Sequence, residues 1–254
     1  MTKELHIAAQ YLAAAAANFL KKEEGDTHLA LTWDARTSSY LSSDLRGDEL
    51  RMALNIRDLS IEFRRKGLVL AKLPLSQARH EENVKWLAEV FRDFLYETPY
   101  EFNVPYILPY EDLYADYSFP YRDDVKLRDL ADLRNKVNTV LNELVLNHNE
   151  KAEVRTWPES FRTSALMWLS DTDSIGLGLA IPDGMMKDHY FYVSGFHGRD
   201  VMSTTSFSSL KKGIWVKDDW KGAVMKARGK SMDEVRSFFE EALAAYLQFA
   251  EKVA

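Results

Sequence analysis

The chain contains no cysteine. Disulfides, thiol nucleophiles and thiolate metal sites are therefore excluded, and a reducing cytoplasm is the natural compartment for the protein. The H-E-x-x-H zinc motif, the Walker A loop, the G-x-S-x-G nucleophile turn and the G-x-G-x-x-G dinucleotide fingerprint are also missing. We accordingly predict no cofactor, and the sequence identifies no catalytic residue.

Long apolar runs and an excess of positive charge are absent as well. No segment approaches the roughly 20 apolar residues of a membrane span. The alanine-rich start is interrupted by Glu4, His6 and Gln10, which is unlike the continuous apolar core of a secretion signal. The net charge of −6 disfavours a protein that neutralises nucleic-acid phosphates. We therefore expect neither a membrane nor a nucleic acid as partner.

Apolar residues make up 46% of the chain and charged residues 28%, which is ordinary globular usage and predicts a packed core. Apolar stripes with helical period predict two helices in the first half, over residues 2–24 and 77–97. A third helix is expected to open near Asp123, and a fourth after the capping box Ser231–Glu234. Gly25 is expected to end the first helix.

Between these helices, apolar and polar residues alternate with the period of a β-strand. The runs with this pattern are 27–34, 50–57, 59–64 and 68–73 in the first half, and 162–169, 174–181, 189–196 and 213–226 in the second. Short turns between them favour antiparallel pairing. The predicted fold is α+β, with antiparallel sheet in two similar helix–four strands–helix halves, 1–98 and 122–254, and with helices covering the sheet. The repeated element order suggests an internal duplication packed as one globular unit, and whether the halves share one sheet stays open.

The segment 99–121 joins the two halves and is rich in tyrosine and proline. Proline at this density excludes a long helix or a central strand, and the aromatic content is unlike a disordered linker. We predict an ordered crossing packed on the body of the protein. Because tyrosine is enriched at protein interfaces, tyrosines exposed over 96–121 would make the protein a non-catalytic interaction module.

A ligand site is best sought in the second half. The strand over 174–181 has one nearly bare face, formed by Gly176, Gly178 and Ala180. If Ala180 pairs with Tyr190 across the following turn, Gly178 lies opposite Tyr192, leaving a shallow slot with aromatic walls. The alternative is that the glycines only let a helix or the crossing segment pack closely. The predicted binding residues are Gly178, Asp183, His189, Tyr190 and Tyr192, with Trp157, Glu159 and Arg162 at the rim. The function expected from this slot is small-molecule binding, with or without catalysis.

His189 and His197 invite comparison with a metal site that includes Asp183 or Asp188. Eight residues apart on one extended strand, the two histidines would lie roughly 26 Å from each other at about 3.3 Å per residue. Neither spacing nor motif fits a known ligand set. We therefore predict no metal site.

Three short strings resemble a family of uncharacterised bacterial proteins that is designated only as a domain of unknown function. They are Trp157-Pro158-x-x-Phe161, Gly178-x-x-x-Pro182-Asp183 and Tyr190-x-Tyr192-Val193. The chain departs from that family at Arg162, where an acidic residue is common, and at Glu159-Ser160, where histidines are frequent. The resemblance implies kinship and carries no activity with it.

Overall fold

The structure, a computed structural model, describes residues 1–95, 98–110, 116–148, 151–218 and 220–253. The chain divides into two units. Unit 1 comprises Met1–Asp132 and Thr156–Phe161, and unit 2 comprises Leu133–Arg155 and Arg162–Ala254. The tyrosine-rich crossing segment, as far as it is described, therefore belongs to unit 1.

Helices lie at both ends and in the middle of the chain, and the strands lie between them. The helices are α1 (Thr2–Phe19), α2 (His80–Leu95), α3 (Asp124–His148) and α4 (Met232–Val253), and a short 3-10 helix covers Glu24–Leu29. The strands are β1 (Thr32–Asp34), β2 (Ser39–Leu41), β3 (Leu50–Asn55), β4 (Ser60–Arg65), β5 (Leu68–Pro74), β6 (Arg155–Trp157), β7 (Arg162–Trp168), β8 (Asp173–Ala180), β9 (Tyr190–His197), β10 (Asp200–Val201), β11 (Ile214–Val216) and β12 (Gly222–Lys226). The mixture of helices and antiparallel sheets confirms the α+β class.

The sheet of unit 1 is an antiparallel meander in the order β1-β2-β3-β4-β5. The turn between β4 and β5 has positive φ at both Lys66 and Gly67, which suits the right-handed twist of a two-residue hairpin. The ring of Phe63 in β4 lies 4.8 Å from that of Phe91 in α2, edge to face. The apolar stripe of α2 thus packs on this sheet, as its helical period requires.

The sheet of unit 2 has the order β11-β12-β9-β8-β7-β6, with β10 paired to β9. One face is apolar and joins the helices in a core cluster. In that cluster, Leu177 of β8 and Val193 of β9 are fully buried with Leu141 of α3 and Phe239 of α4. The opposite face, called the outer face below, carries the alternate residues of each strand, because successive side chains of a strand point to opposite sides.

The expectation of four strands in each half is wrong: the described residues form a five-stranded and a seven-stranded sheet. The strands that the pattern missed, β2, β6 and β10, have two or three residues and are too short to show alternation. The strand orders differ as well, because β1–β5 run sequentially whereas β12 lies between β9 and β11. The topology therefore does not support the proposed duplication.

The first helix and the first strand are shorter than predicted. Helix α1 ends at Phe19, and Leu20 is already extended. The strand expected over residues 27–34 begins only at Thr32, because Gly25 and Asp26 adopt positive φ and lead into the 3-10 helix. Within the part of the chain that the structure describes, no helix has the length and apolarity needed to cross a membrane.

Candidate functional site

The outer face of the unit 2 sheet carries four of the eight predicted binding residues, Arg162, Gly178, Tyr190 and Tyr192. Ala180 pairs with Tyr190 and Gly178 pairs with Tyr192, so the strand register considered from the sequence is the one present. On the other side of β8, Gly178 pairs with Ser164 of β7. Ser164, Gly178 and Tyr192 thus form one row across the sheet. Arg162 occupies the same face two residues before Ser164, at the level of Ala180 and Tyr190.

Position 178 requires glycine because the backbone of β7 lies too close for any side chain there. A Cβ at this position would lie 2.2 Å from the carbonyl oxygen of Thr163 and 2.9 Å from Cα of Ser164. At Gly176 a Cβ would be in ordinary contact, 3.5 Å from the ring of Phe196. The face of β8 that lacks side chains therefore contacts the backbone of β7 at Gly178 and the ring of Phe196 in β9 at Gly176. No helix and no part of the crossing segment is among these nearest atoms.

The two tyrosines of the outer face are both held by hydrogen bonds. The hydroxyl of Tyr190 donates to Oδ2 of Asp183 over 2.7 Å, and Asp183 itself accepts from the backbone N–H of Met185. Tyr192 is hydrogen-bonded to the side chain of Ser164 across the glycine row. Burial raises the pKa of Tyr192, and burial followed by Asp183 raises the pKa of Tyr190. Both phenols are therefore neutral hydrogen-bonding groups at physiological pH.

Arg162 is a cationic residue close to both phenols, and Lys226 of β12 pairs with Tyr190 in the strand register. The positive charge of Arg162 acts on both Tyr190 and Tyr192 and lowers their pKa values, against the larger raising effect of burial. The side chain is exposed, and among the described residues no carboxylate forms an ion pair with it. An exposed guanidinium beside two neutral phenols can bind an anionic group through charge and hydrogen bonds together.

His189 does not join this group. It precedes Phe191 and Val193 of the core face by the period of the strand, so it lies on the inner side of the sheet. Burial, and then the positive charge of Arg134, lower its pKa to about 4. Arg134 is buried and donates to Oγ1 of Thr163 over 2.8 Å, also on the inner side. The prediction placed His189 and Tyr190 together, but adjacent strand residues face opposite ways.

Trp157 and Glu159 belong to unit 1. They lie in the turn that precedes Phe161, a buried residue with φ of +53°, whose N–H donates to the carbonyl of Trp157 over 2.7 Å. Glu159 is close enough to Tyr106 to add to the effect of burial, which raises the pKa of that tyrosine. Glu159 thus lies beside the crossing segment, and the backbone of Trp157 closes the turn to Phe161.

The described parts of the crossing segment pack on α1. Tyr106 donates to Oε1 of Gln10 over 2.7 Å, and the hydroxyl of Tyr110 lies 2.8 Å from Nδ1 of His6. The buried Tyr100 donates to the backbone oxygen of Tyr11. Tyr96 and Tyr114 lie outside the described residues. The hydroxyls of Tyr100, Tyr106 and Tyr110 thus bind within unit 1, which weighs against an interface built from their rings, whereas Tyr121 at the end of the segment is exposed.

His6 and Gln10 were not among the predicted site residues. Both are fully buried and lie one helical turn apart on α1. Nε2 of His6 lies 2.7 Å from the carbonyl oxygen of Pro158 and must donate there, because a carbonyl oxygen only accepts. The Gln10 amide donates to the same oxygen over 2.9 Å. Their sequence signal was the interruption of an alanine-rich apolar helix by polar residues. Because their hydrogen bonds are made within unit 1, they anchor the turn at Pro158.

No metal centre is formed by the residues described: no three His, Asp or Glu side chains come together as ligands would. His197, considered above with His189, instead pairs with Oδ1 of Asp173 over 2.7 Å. Comparison with known proteins gives no further guide to the chemistry. No protein-family model matches the chain, and neither a curated protein nor a solved structure is significantly similar to it.

Proposed function

We propose that the protein binds a small molecule that carries a negatively charged group, on the outer face of the unit 2 sheet. The proposal rests on the environment of Arg162. Its guanidinium is exposed, its charge lowers the pKa values of Tyr190 and Tyr192, and it forms no ion pair with another described residue. An unpaired guanidinium supplies the charge, and the partly exposed ring of Tyr192 supplies aromatic surface beside the buried Tyr190. Ligand sites commonly combine a few polar groups of this kind with apolar walls.

The apolar walls are present around the phenols. Val224 and Met186 pack with Tyr190, and the ring of Trp220 lies 6.4 Å from that of Tyr192, edge to face. An aromatic anion would place its ring against these side chains and its charge at Arg162. This arrangement supports small-molecule binding more strongly than the alternative of a protein-interaction module, because the hydroxyls of Tyr100 and Tyr106 donate to α1, and Tyr121 is the crossing tyrosine that is strongly exposed among those described.

Benzoate is a suitable probe, since it combines an aromatic ring with a carboxylate. We expect benzoate to shift the ring NMR signals of Tyr190 and Tyr192 in the full chain labelled at tyrosine, with the signals assigned through Tyr→Phe variants. Arg162→Gln should weaken the affinity by about tenfold, which corresponds to the loss of one charge-assisted hydrogen bond.

Arg199→Gln is the matched control, because Arg199 is also exposed and lies in the turn between β9 and β10. It should leave the affinity unchanged. The proposal is wrong if benzoate moves neither tyrosine at any soluble concentration, or if both arginine variants bind it equally.

A further inference from the structure

A cavity of about 440 Å³ lies beside the β11–β12 hairpin of unit 2. Lysines from three stretches of chain line it: Lys211 and Lys212 before β11, Lys226 at the end of β12, and Lys230 before α4. Its described lining includes no aspartate and no glutamate. Its volume falls in the range of small-molecule sites, roughly 300–1,000 Å³. This space is called the lysine cavity below.

Two of the four lysines share one carboxylate. Oε1 of Glu234 lies 2.6 Å from Nζ of Lys212 and 3.1 Å from Nζ of Lys230. Lys212, followed by the backbone N–H of Ser231 and by Lys230, lowers the pKa of Glu234 to about 2. Lys211 and Lys226 are exposed, and neither forms an ion pair with another described residue. The lysine cavity therefore retains an excess of positive charge.

An apolar wall adjoins the lysines. Ile214 and Val224 pair across the β11–β12 hairpin and so share one face, and both line the cavity together with Met186. The side chain of Ile214 is 63% exposed. Covering apolar surface gains free energy, at about 25 cal/mol per Å². A ligand with an apolar body would therefore bind here more tightly than a bare inorganic anion.

The cationic segments are held by the fold. Gly213 has φ of +83°, and a Cβ there would lie 2.6 Å from the backbone oxygen of Val224, so the segment before β11 is pressed against β12. Lys136 of α3 donates to the backbone oxygen of Lys230 and so holds the turn before α4. Lysines carried by a fixed backbone lose less conformational freedom on binding than lysines of a free loop.

We propose that the lysine cavity binds an organic anion, with a phosphate or carboxylate head at Lys211 and Lys226 and an apolar body on Ile214 and Val224. Lysine binds such heads as a compact point charge. This site borders the one proposed above, because Val224 and Lys226 of β12 pair with Tyr192 and Tyr190 of β9, but its lysines are distinct from Arg162. Arg162 is on β7, and β8 and β9 lie between β7 and β12, which corresponds to about 14 Å at about 4.8 Å per strand.

Hexyl phosphate tests both parts of this proposal, with hexanol, inorganic phosphate and hexanoate as comparison ligands. The full chain is labelled with ¹³C at the methionine methyl groups, because Met186 lines the cavity, and its signal is assigned with Met186→Leu. We expect hexyl phosphate to shift the Met186 signal and to bind more tightly than hexanol or inorganic phosphate. Hexanoate shows whether the head must be a phosphate.

Lys211→Ala combined with Lys226→Ala should weaken hexyl phosphate binding by about tenfold, since each removed charge contributes a few-fold at an exposed site. Lys21→Ala combined with Lys85→Ala is the matched control, because both residues are exposed and belong to unit 1. It should leave the affinity unchanged. Circular dichroism spectra identical to the parent protein establish that both double variants fold.

Absence of any Met186 shift with hexyl phosphate, or equal affinities of the two double variants, would overturn the proposal. The two proposals are told apart by their cationic groups: the benzoate experiment tests Arg162, whereas the hexyl phosphate experiment tests Lys211 and Lys226, so failure of the first leaves the second open to its own test. A hexyl phosphate affinity that falls with Arg162→Gln and not with the lysine variants would assign the anion to the outer-face site instead.

Discussion

At the scale of single residues, Gly178 shows how little room the outer face leaves between β7 and β8. An alanine Cβ would lie 2.2 Å from a backbone oxygen, and a backbone atom cannot move aside as a flexible side chain does. We expect Gly178→Ala to lower the free energy of unfolding by about 1–3 kcal/mol, as overpacked sites do. Urea denaturation of the full chain measures the change.

Two other glycines provide a graded control for that substitution. No atom lies within 4 Å of a Cβ at Gly184, so Gly184→Ala should be close to neutral in the same assay. Gly176→Ala, with its nearest neighbour at 3.5 Å, should fall between the two. A Gly178→Ala protein as stable as Gly184→Ala would show that β7 and β8 are farther apart than described.

The same residues show what the sequence could reveal of the candidate site. The alternation in 174–181 suggested the pairing of Gly178 with Tyr192 only as one of two registers, because a slip of one residue would reverse which side chains face the glycines, and the structure has the register that was considered. The side on which His189 lies follows from the same alternation and was overlooked. Arg162 was predicted at the rim of the slot, but its place on the outer face could not be derived from the pattern alone, since it depends on β7 being the strand on the far side of β8.

At the scale of elements, the crossing segment depends on hydrogen bonds to α1. Tyr106 donates to the buried oxygen of Gln10 over 2.7 Å, and Tyr106→Phe leaves that oxygen without this donor. The expected loss in the free energy of unfolding is about 1–3 kcal/mol. Thermal and urea denaturation give the value.

Tyr121→Phe is the control for that change, because Tyr121 belongs to the same segment but is 74% exposed. Its substitution should alter the stability by less than about 0.5 kcal/mol. If the two variants were equally stable, the hydrogen bond between Tyr106 and Gln10 would not be what fixes the segment.

Long elements were predicted well and short ones were not. Strand β3 and helix α4 extend over enough residues for their periods to be counted, and the capping box at Ser231 is present, with Glu234 accepting from its N–H over 3.0 Å. Strands β2 and β10 are stabilised by pairing with neighbours rather than by their own pattern. Tertiary contacts therefore determined what local periodicity could not indicate.

At the scale of the whole molecule, the protonation of His189 makes the free energy of unfolding depend on pH. Burial and the charge of Arg134 lower its pKa to about 4, from an ordinary value of 6.5. Above pH 6.5 the histidine is neutral in both the folded and the unfolded chain, and no free energy is lost. As the pH falls from 6.5 towards 4, the unfolded chain binds a proton that the folded chain does not, so the folded state is progressively destabilised.

This loss should reach at most about 3 kcal/mol, at about 1.4 kcal/mol per pKa unit. We expect the His189→Asn variant to lose less stability than the parent protein between about pH 7 and about pH 4.5, because asparagine binds no proton in this range. His148→Asn, at the exposed end of α3, should keep the parent dependence. Urea denaturation at the two pH values measures each difference. If the parent and His189→Asn lost the same free energy of unfolding between the two pH values, His189 would take up its proton equally in the folded and unfolded chains. Other groups would then cause the loss of stability in acid.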